Sequence, residues 1–248
     1  MSLFAQLKAY IKQDQAVVLA TVVRGPTDWL GLKALVPVQD ASGGPLLETS
    51  LSDEIQRDAQ SFVNQWNTTT RKYVINAGEI EVFFEVYRPA PQLVVVGAVH
   101  IAAELVIFAQ RFGFRTYVID PRSAFTTQTR FPHADELLVQ WPDEALPKVG
   151  LTPDTAVVVL SHDPKLDDPA LRLALPSPAF YVGALGSRKT HAQRVERLLA
   201  DGLTQADLDR LHAPIGLNIG GRTPAEIALS IMAEIVAVRN GKSIIEHQ

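Results

Sequence analysis

The sequence predicts an α/β protein, a Rossmann-like doubly wound parallel sheet preceded by a smaller α/β domain, and three observations carry that expectation. Residues 92–120, QLVVVGAVHIAAELVIFAQRFGFRTYVID, read as strand, glycine turn, helix and strand. The run 93–96 is continuous and β-branched, as in a strand covered on both faces. From His100 the apolar positions Ile101, Leu105, Phe108 and Phe112 recur at helical spacing, and Gly113 stands where a helix C-cap belongs. Two more β-rich runs, 155–160 and 179–182, alternate with helical patterns, which winds a parallel sheet. Prolines 89 and 91, just after Arg88, mark a boundary and divide the chain into residues 1–88 and 89–248.

Taken in order, Ser2 is placed to cap a first helix whose stripe is Leu3, Leu7, Tyr10 and Ile11. Residues 16–23 and 33–38 read as strands that pair, and the stretch from Asp40, DASGGP, as a turn. Ser50 or Ser52 caps a helix carrying Leu51, Ile55, Phe62 and Trp66 inward, and residues 79–87 alternate as a strand with one face on a core. Beyond the central unit, residues 121–132 are turn-rich and 136–139 form a short strand. A short helix at 168–174 separates the runs at 155–160 and 179–182, and helices at 189–199 and 204–211 follow. The last helix has a well-specified start, with Thr223 as N-cap, Pro224 first and Glu226 completing a capping box. Ile227, Ile231, Ile235 and Val238 form its stripe, and Gly241 ends it.

Composition narrows the function classes. With 248 residues, 47% hydrophobic and 20% charged, the chain buries a sizeable core. A net charge of −4 without a basic block argues against nucleic acid and anionic membranes as partners. Cysteine is absent, which removes disulfides, thiolate ligands and thiol nucleophiles and fits a reducing cytoplasm. No basic n-region or cleavage site opens the chain, and the longest apolar run, 93–109, contains His100 and Glu104 and falls short of the ~20 residues of a spanning helix. The expectation is a soluble, cytoplasmic protein.

In an open parallel sheet, ligands bind outside the carboxyl ends of the strands, so chemistry is expected at residues 97–100, 120–122, 161–163 and 183–189. Gly97 fills the first position of a dinucleotide fingerprint, but Val99 and Ala102 occupy the second and third, and Val99 is β-branched where positive φ and close phosphate approach are expected. Asp120 lies 23 residues beyond Gly97, near the spacing of a ribose-gripping carboxylate, with Arg122 close by for a 2′-phosphate. Dinucleotide binding at this turn is left open. Gly183, Gly186, Ser187, Arg188 and Lys189 offer a glycine turn, a helix cap and cations for phosphate, or equally a capped turn with solvated charges. His100, His162 and His212 fall in loops or at helix starts, as hydrogen-bonded structural residues or as members of the site. Asp163, Asp167 and Asp168 read as a solvated turn with a helix N-cap. PIGLNIGG, with Gly216 and Asn218, is either a backbone wall for a flat ligand or a tight connector. No metal-ligand spacing, GxSxG or Walker loop is present, so neither a metal ligand nor a catalytic residue is nominated.

GAVHIAAEL with VIDPR, SHDPKLDDPAL, YVGALGSRKTHAQRVERL and HAPIGLNIGGRTPAEIALSIMAEIVAVRNG resemble the XdhC/CoxI family of xanthine dehydrogenase accessory factors, over residues 90–241. The resemblance implies a non-catalytic maturation factor that holds molybdenum cofactor (molybdopterin), presents it for sulfuration and hands it to an apo-hydroxylase of the xanthine or carbon monoxide dehydrogenase type. It also implies a homodimer. The chain departs from the family pattern in three places: ATVVRGPTDWLGLKALV is shorter than the RxxGSxPR region, ETSLSDE stands near the GGCxE motif, and Val99 replaces the glycine of the GAGHVG turn. Without cysteine, no thiol reaches molybdenum. Two other readings stand beside this one, an NAD(P)-dependent oxidoreductase using Asp120 or Arg122 and a scaffolding paralogue that kept the fold and lost its ligand.

Overall fold

The computed structural model describes residues 2–37, 50–64, 68–75 and 78–242. The chain divides into two compact units, Met1–Pro89 and Ala90–Gln248.

The first unit runs α1 (Leu3–Lys12), β1 (Val17–Arg24), a 3-10 turn at Thr27–Trp29, β2 (Lys33–Pro37), α2 (Ser50–Asn64), β3 (Thr69–Ile75) and β4 (Gly78–Tyr87). Its four strands form an antiparallel sheet in the order β2-β1-β4-β3, with β1 and β2 paired as expected. Alternation along β1 sends its side chains to opposite faces. Val17 and Leu19 meet Leu7 of α1, whereas Val18, Ala20 and Val22 meet Ile55, Ala59 and Phe62 of α2. Ser2 caps α1 by accepting from the Ala5 amide at 3.3 Å, but Ile11 of the expected stripe is exposed. β3 is a strand the sequence did not announce, because Arg71, Lys72 and Val74 are exposed while Tyr73 between them is buried. α2 already contains Ser50 and Ser52, so neither is the cap expected of it; Val38, the Asp40 turn, the Leu51 side chain and Trp66 fall outside the described residues.

The second unit runs β5 (Gln92–Val96), α3 (His100–Arg111), β6 (Arg115–Ile119), β7 (Glu136–Leu138), α4 (Pro142–Val149), β8 (Thr155–Val159), α5 (Pro164–Ala174), β9 (Tyr181–Ala184), α6 (Arg188–Ala200), α7 (Gln205–Leu208), β10 (Leu211–His212) and α8 (Pro224–Arg239). Its six strands are all parallel, in the order β10-β9-β8-β5-β6-β7. The chain enters at β5 in the middle, runs out to β7 and returns to β8 on the other flank. Winding therefore reverses between β5 and β8, where the carboxyl ends of strands open a crevice. α3 and α8 cover one face through Leu105, Val106, Ile231 and Ile235, and α4, α5 and α6 cover the other through Leu146, Leu171 and Leu198. Both faces of the central strands are covered, as the continuous apolar runs required.

Several sequence expectations need correction. α3 buries Ala102, Leu105, Val106 and Ala109, while Phe112 lies past the helix end and half exposed; the alanines let α8 approach closely. The helix expected at 204–211 stops at Leu208, since Leu211 and His212 join the sheet edge as β10. α5 begins at Pro164 rather than 168, and α4 was not anticipated because Pro147 interrupts its pattern.

Candidate functional site

At the end of β5 the positive dihedral falls on Gly97, φ +103°, where a Cβ would lie 3.0 Å from the Ser161 amide nitrogen. Glycine is required there so that β5 and β8 can turn side by side. Val99 sits at φ −95°, so its β-branched side chain is unstrained, contrary to the sequence expectation. Asp120, fully buried at the end of β6, accepts from the Ala98 amide at 2.9 Å, the Arg122 amide at 3.0 Å, and Arg122 Nε and Nη2 at 2.8 and 2.6 Å. Burial pushes its carboxyl up, but these donors outweigh burial and hold it below the ordinary carboxylate range. Arg122 also stacks on Phe125 at 4.7 Å. His100, the first residue of α3, is exposed.

Beyond β8, the acidic turn is not simply solvated. Asp163 caps α5 as expected, accepting from the Lys165 amide at 3.0 Å. Asp167 is buried instead: the Ser161 hydroxyl donates to it at 2.5 Å and Arg194 Nη2 at 3.0 Å. Asp168 accepts two bonds from Arg197, at 2.6 and 3.0 Å. The first turn of α5 has its side toward α6, which converts two of three expected solvent carboxylates into ion pairs. His162 is exposed.

Beyond β9, a Cβ on Gly183 would lie 2.6 Å from both Ile215 Cδ1 and the Tyr181 hydroxyl, so glycine lets the 215 loop cross the strand. Gly186 adopts φ +149°, and Ser187 caps α6 by accepting from the Thr190 amide at 3.2 Å. Arg188 is exposed just beyond. A pocket of about 380 Å³ lies here, bounded by Leu185 and Arg188, by the loop 214–221 with Ile215, Gly216 and Asn218, and by Ser230 of α8. Glu234, buried on α8, pins that loop: it accepts from the Gly216 amide at 2.6 Å and the Tyr181 hydroxyl at 2.5 Å, and its other oxygen lies 3.3 Å from His212 Nδ1. Burial pushes the Glu234 carboxyl up, yet His212, Tyr181 and the Gly216 amide together bring it below its ordinary value. His212 belongs to β10, not to a loop, and stacks on Tyr181 at 4.6 Å.

Arg188, Gly216 and Asn218 thus line one pocket, Gly183 packs behind it against Ile215, and Gly186 and Ser187 face Thr190 of α6 instead of lining it. Gly97, Asp120 and Arg122 form a separate group bonded to one another through the Ala98 amide at the ends of β5 and β6. Two polar constellations escaped the sequence reading, Ser161–Asp167–Arg194 and Tyr181–Glu234–His212. Their one sequence signal is a charged residue at a buried helical position. Among the described residues no group of three or more His, Asp or Glu side chains is placed to hold a metal, and no helix is long and apolar enough to cross a membrane.

Residues 93–235 match the family model described as the XdhC Rossmann domain. The chain is 32% identical over 163 residues to a probable xanthine dehydrogenase subunit of Bacillus subtilis, a match that covers 66% of this chain and 47% of that protein. It is 38% identical over 86 residues to the molybdenum cofactor insertion chaperone PaoD of Escherichia coli, covering 35% of this chain and 27% of that one. The chain therefore spans about half or less of the length of these relatives. A crystal structure of a xanthine dehydrogenase from Bacillus halodurans shares the fold, with a TM-score of 0.57 and 22% identity over 98% of this chain and 97% of the other. Since the matched domain takes in more than half of the residues, the chain belongs to the XdhC Rossmann-domain family.

Proposed function

We propose that this chain is an accessory factor for molybdenum enzymes that binds a molybdopterin-type ligand and passes it to a molybdenum hydroxylase apo-enzyme. The observation that carries the reading is the pocket between Arg188 and the 214–221 loop, in a family whose relatives are named for xanthine dehydrogenase and for molybdenum cofactor insertion. The residues present fit such a ligand. A flat heterocycle needs an apolar slot with backbone edges, which Leu185, Ile215 and Ile219 supply together with the glycine-rich loop. A phosphate needs an accessible cation beside a helix start, which Arg188 supplies. The cofactor brings its own redox chemistry to the recipient enzyme; this chain's residues bind, orient and shield it. With no cysteine in the chain, the grip is on the organic part of the ligand.

Asp120 supports this reading over a nicotinamide enzyme, because both of its carboxylate oxygens already accept from Ala98 and Arg122 and neither is left for a ribose. Gly97, His100, Asp120, Arg122 and His162 carry no ligand contact in this proposal. A cytoplasmic homodimer belongs to the same proposal, with the recipient enzyme as its second partner.

The test is retention. The chain is mixed with molybdopterin cofactor, passed through a desalting column and assayed for pterin fluorescence and molybdenum. Co-elution is expected at micromolar protein, and a calorimetric titration with NAD or NADP is expected to be silent. Saturable nicotinamide binding without cofactor retention contradicts the proposal.

A further inference from the structure

Arg194 is only 1% exposed, yet its guanidinium is used on one side. Nη2 donates to Asp167 at 3.0 Å and to the Leu185 carbonyl at 2.9 Å, while Nε and Nη1 have no hydrogen-bond partner among the described residues. Nδ1 of His191, one turn earlier on α6, is also buried without a partner. A guanidinium carries five N–H donors, and unpaired buried donors are uncommon in native proteins because each forfeits its hydration. The two residues lie three positions apart on α6 and so share one side of that helix. Nη1 lies 3.7 Å from the point a Gly186 Cβ would occupy, and the Thr190 side chain lies 3.3 Å from the same point. The cover is slight: Ser187 Oγ and Thr190 Oγ1 pair at 2.9 Å in the solvent-facing first turn, next to exposed Arg188 and Lys189.

Negative charge is short here. Among the described residues Asp167 is the one carboxylate paired with Arg194, and one of its oxygens is taken by Ser161. Burial pushes its carboxyl up against the pull of Ser161 and Arg194, while burial and then the Arg194 charge hold the His191 imidazole below its ordinary value. An entering oxyanion would meet Nε and Nη1 of Arg194, the positive end of α6 and, in the tautomer that carries its proton there, the Nδ1–H of His191, all of which favour it.

We propose that Arg194 and His191, beneath the Gly186–Thr190 turn, form a subsite for a phosphate-type oxyanion, reached when the Ser187–Thr190 hydroxyl pair parts. It rests on the proposed function in one respect: the anion it takes there is the phosphate of the molybdopterin-type ligand, whose remainder lies in the adjoining pocket lined by Leu185 and Arg188.

The experiment follows the arginine side-chain Nε–H resonances of the full-length chain by NMR while inorganic phosphate is titrated against chloride at matched ionic strength, with Arg194→Lys identifying the Arg194 signal. A saturable shift of that signal with phosphate alone is expected. Arg194→Lys removes that signal and so serves only to assign it, and His191→Asn should weaken phosphate severalfold, read from the Arg194 signal, without disturbing the Asp167 pair. An unmoved resonance, or an equal drift in chloride, means that only water occupies the space and overturns the subsite. If phosphate saturates Arg194 but molybdopterin is not retained, the subsite stands and the cofactor reading falls. If molybdopterin is retained with the Arg194 signal unmoved and His191→Asn without effect, the cofactor reading stands and the subsite falls.

Discussion

Glu234 is a carboxylate on a helix whose neighbours Ile231, Met232 and Ile235 are all buried, and it stays ionised because three donors converge on it. Removing one leaves buried charge less compensated, so Tyr181→Phe should destabilise the chain by about 1–3 kcal/mol in urea denaturation. An unchanged midpoint would mean that the Tyr181 hydroxyl does not serve Glu234. Asp120 and Glu234 both have folded-state values below the ordinary carboxylate range. The stability they contribute is therefore fully present above about pH 5 and lost as pH falls through their lowered values. Asp167, pushed up by burial, contributes with the opposite sign. Urea midpoints measured from neutral pH downward should fall on the acid side, and Asp120→Asn should flatten that fall; an acid limb unchanged by Asp120→Asn would contradict the role given to Asp120. Asp120 was legible as a polar residue at a strand end, because strand ends are visible in the apolar pattern. Its partners were not: Arg122 turns back on it through a loop that no periodicity describes. Glu234 and Arg194 were invisible for a different reason, as Tyr181 lies 53 residues from Glu234 and Asp167 lies 27 from Arg194.

At the level of elements, α8 and α6 show where local chemistry was enough. Thr223 and Glu226 form the capping box expected of them, and Ser187 caps α6. Thr223→Ala should lower stability by about 1 kcal/mol, read from the thermal or urea midpoint; no change would mean that the amides of the first turn are served equally well by water. Strand β5, helix α3 and strand β6 were legible for the same reason, since their periodicity changes sharply at Gly97 and Gly113. β10 was not, because two residues make no pattern and are held in place by parallel pairing of Leu211 with Val182 and His212 with Gly183. β3 was hidden by charge on both of its faces, since Arg71, on the side of Tyr73, pairs with Asp58 of α2, and Lys72, on the other side, pairs with Glu79 of β4. The pocket loop was legible only as glycine-rich. That Gly216 faces Ser230 and hangs from Glu234 depends on tertiary packing of α8.

At the level of the molecule, each unit has hydrophobic cores of its own. Leu7, Val18, Phe62 and Phe84 are buried in the first, and Leu93, Val158, Leu171 and Ile231 in the second. Residues 90–248 expressed alone should therefore unfold cooperatively and keep parallel-sheet protection in hydrogen exchange; a molten product would mean that the second unit's core is incomplete by itself. The measurement that bears most directly on the central claim is the molybdopterin binding isotherm of the whole chain beside those of Arg188→Ala and of Arg24→Ala, an exposed cation of the first unit. Saturable binding that weakens about tenfold in Arg188→Ala, the worth of one charge-assisted contact, and is unaltered in Arg24→Ala is the expected result. Equal affinity in all three proteins, or no binding in any, would contradict it.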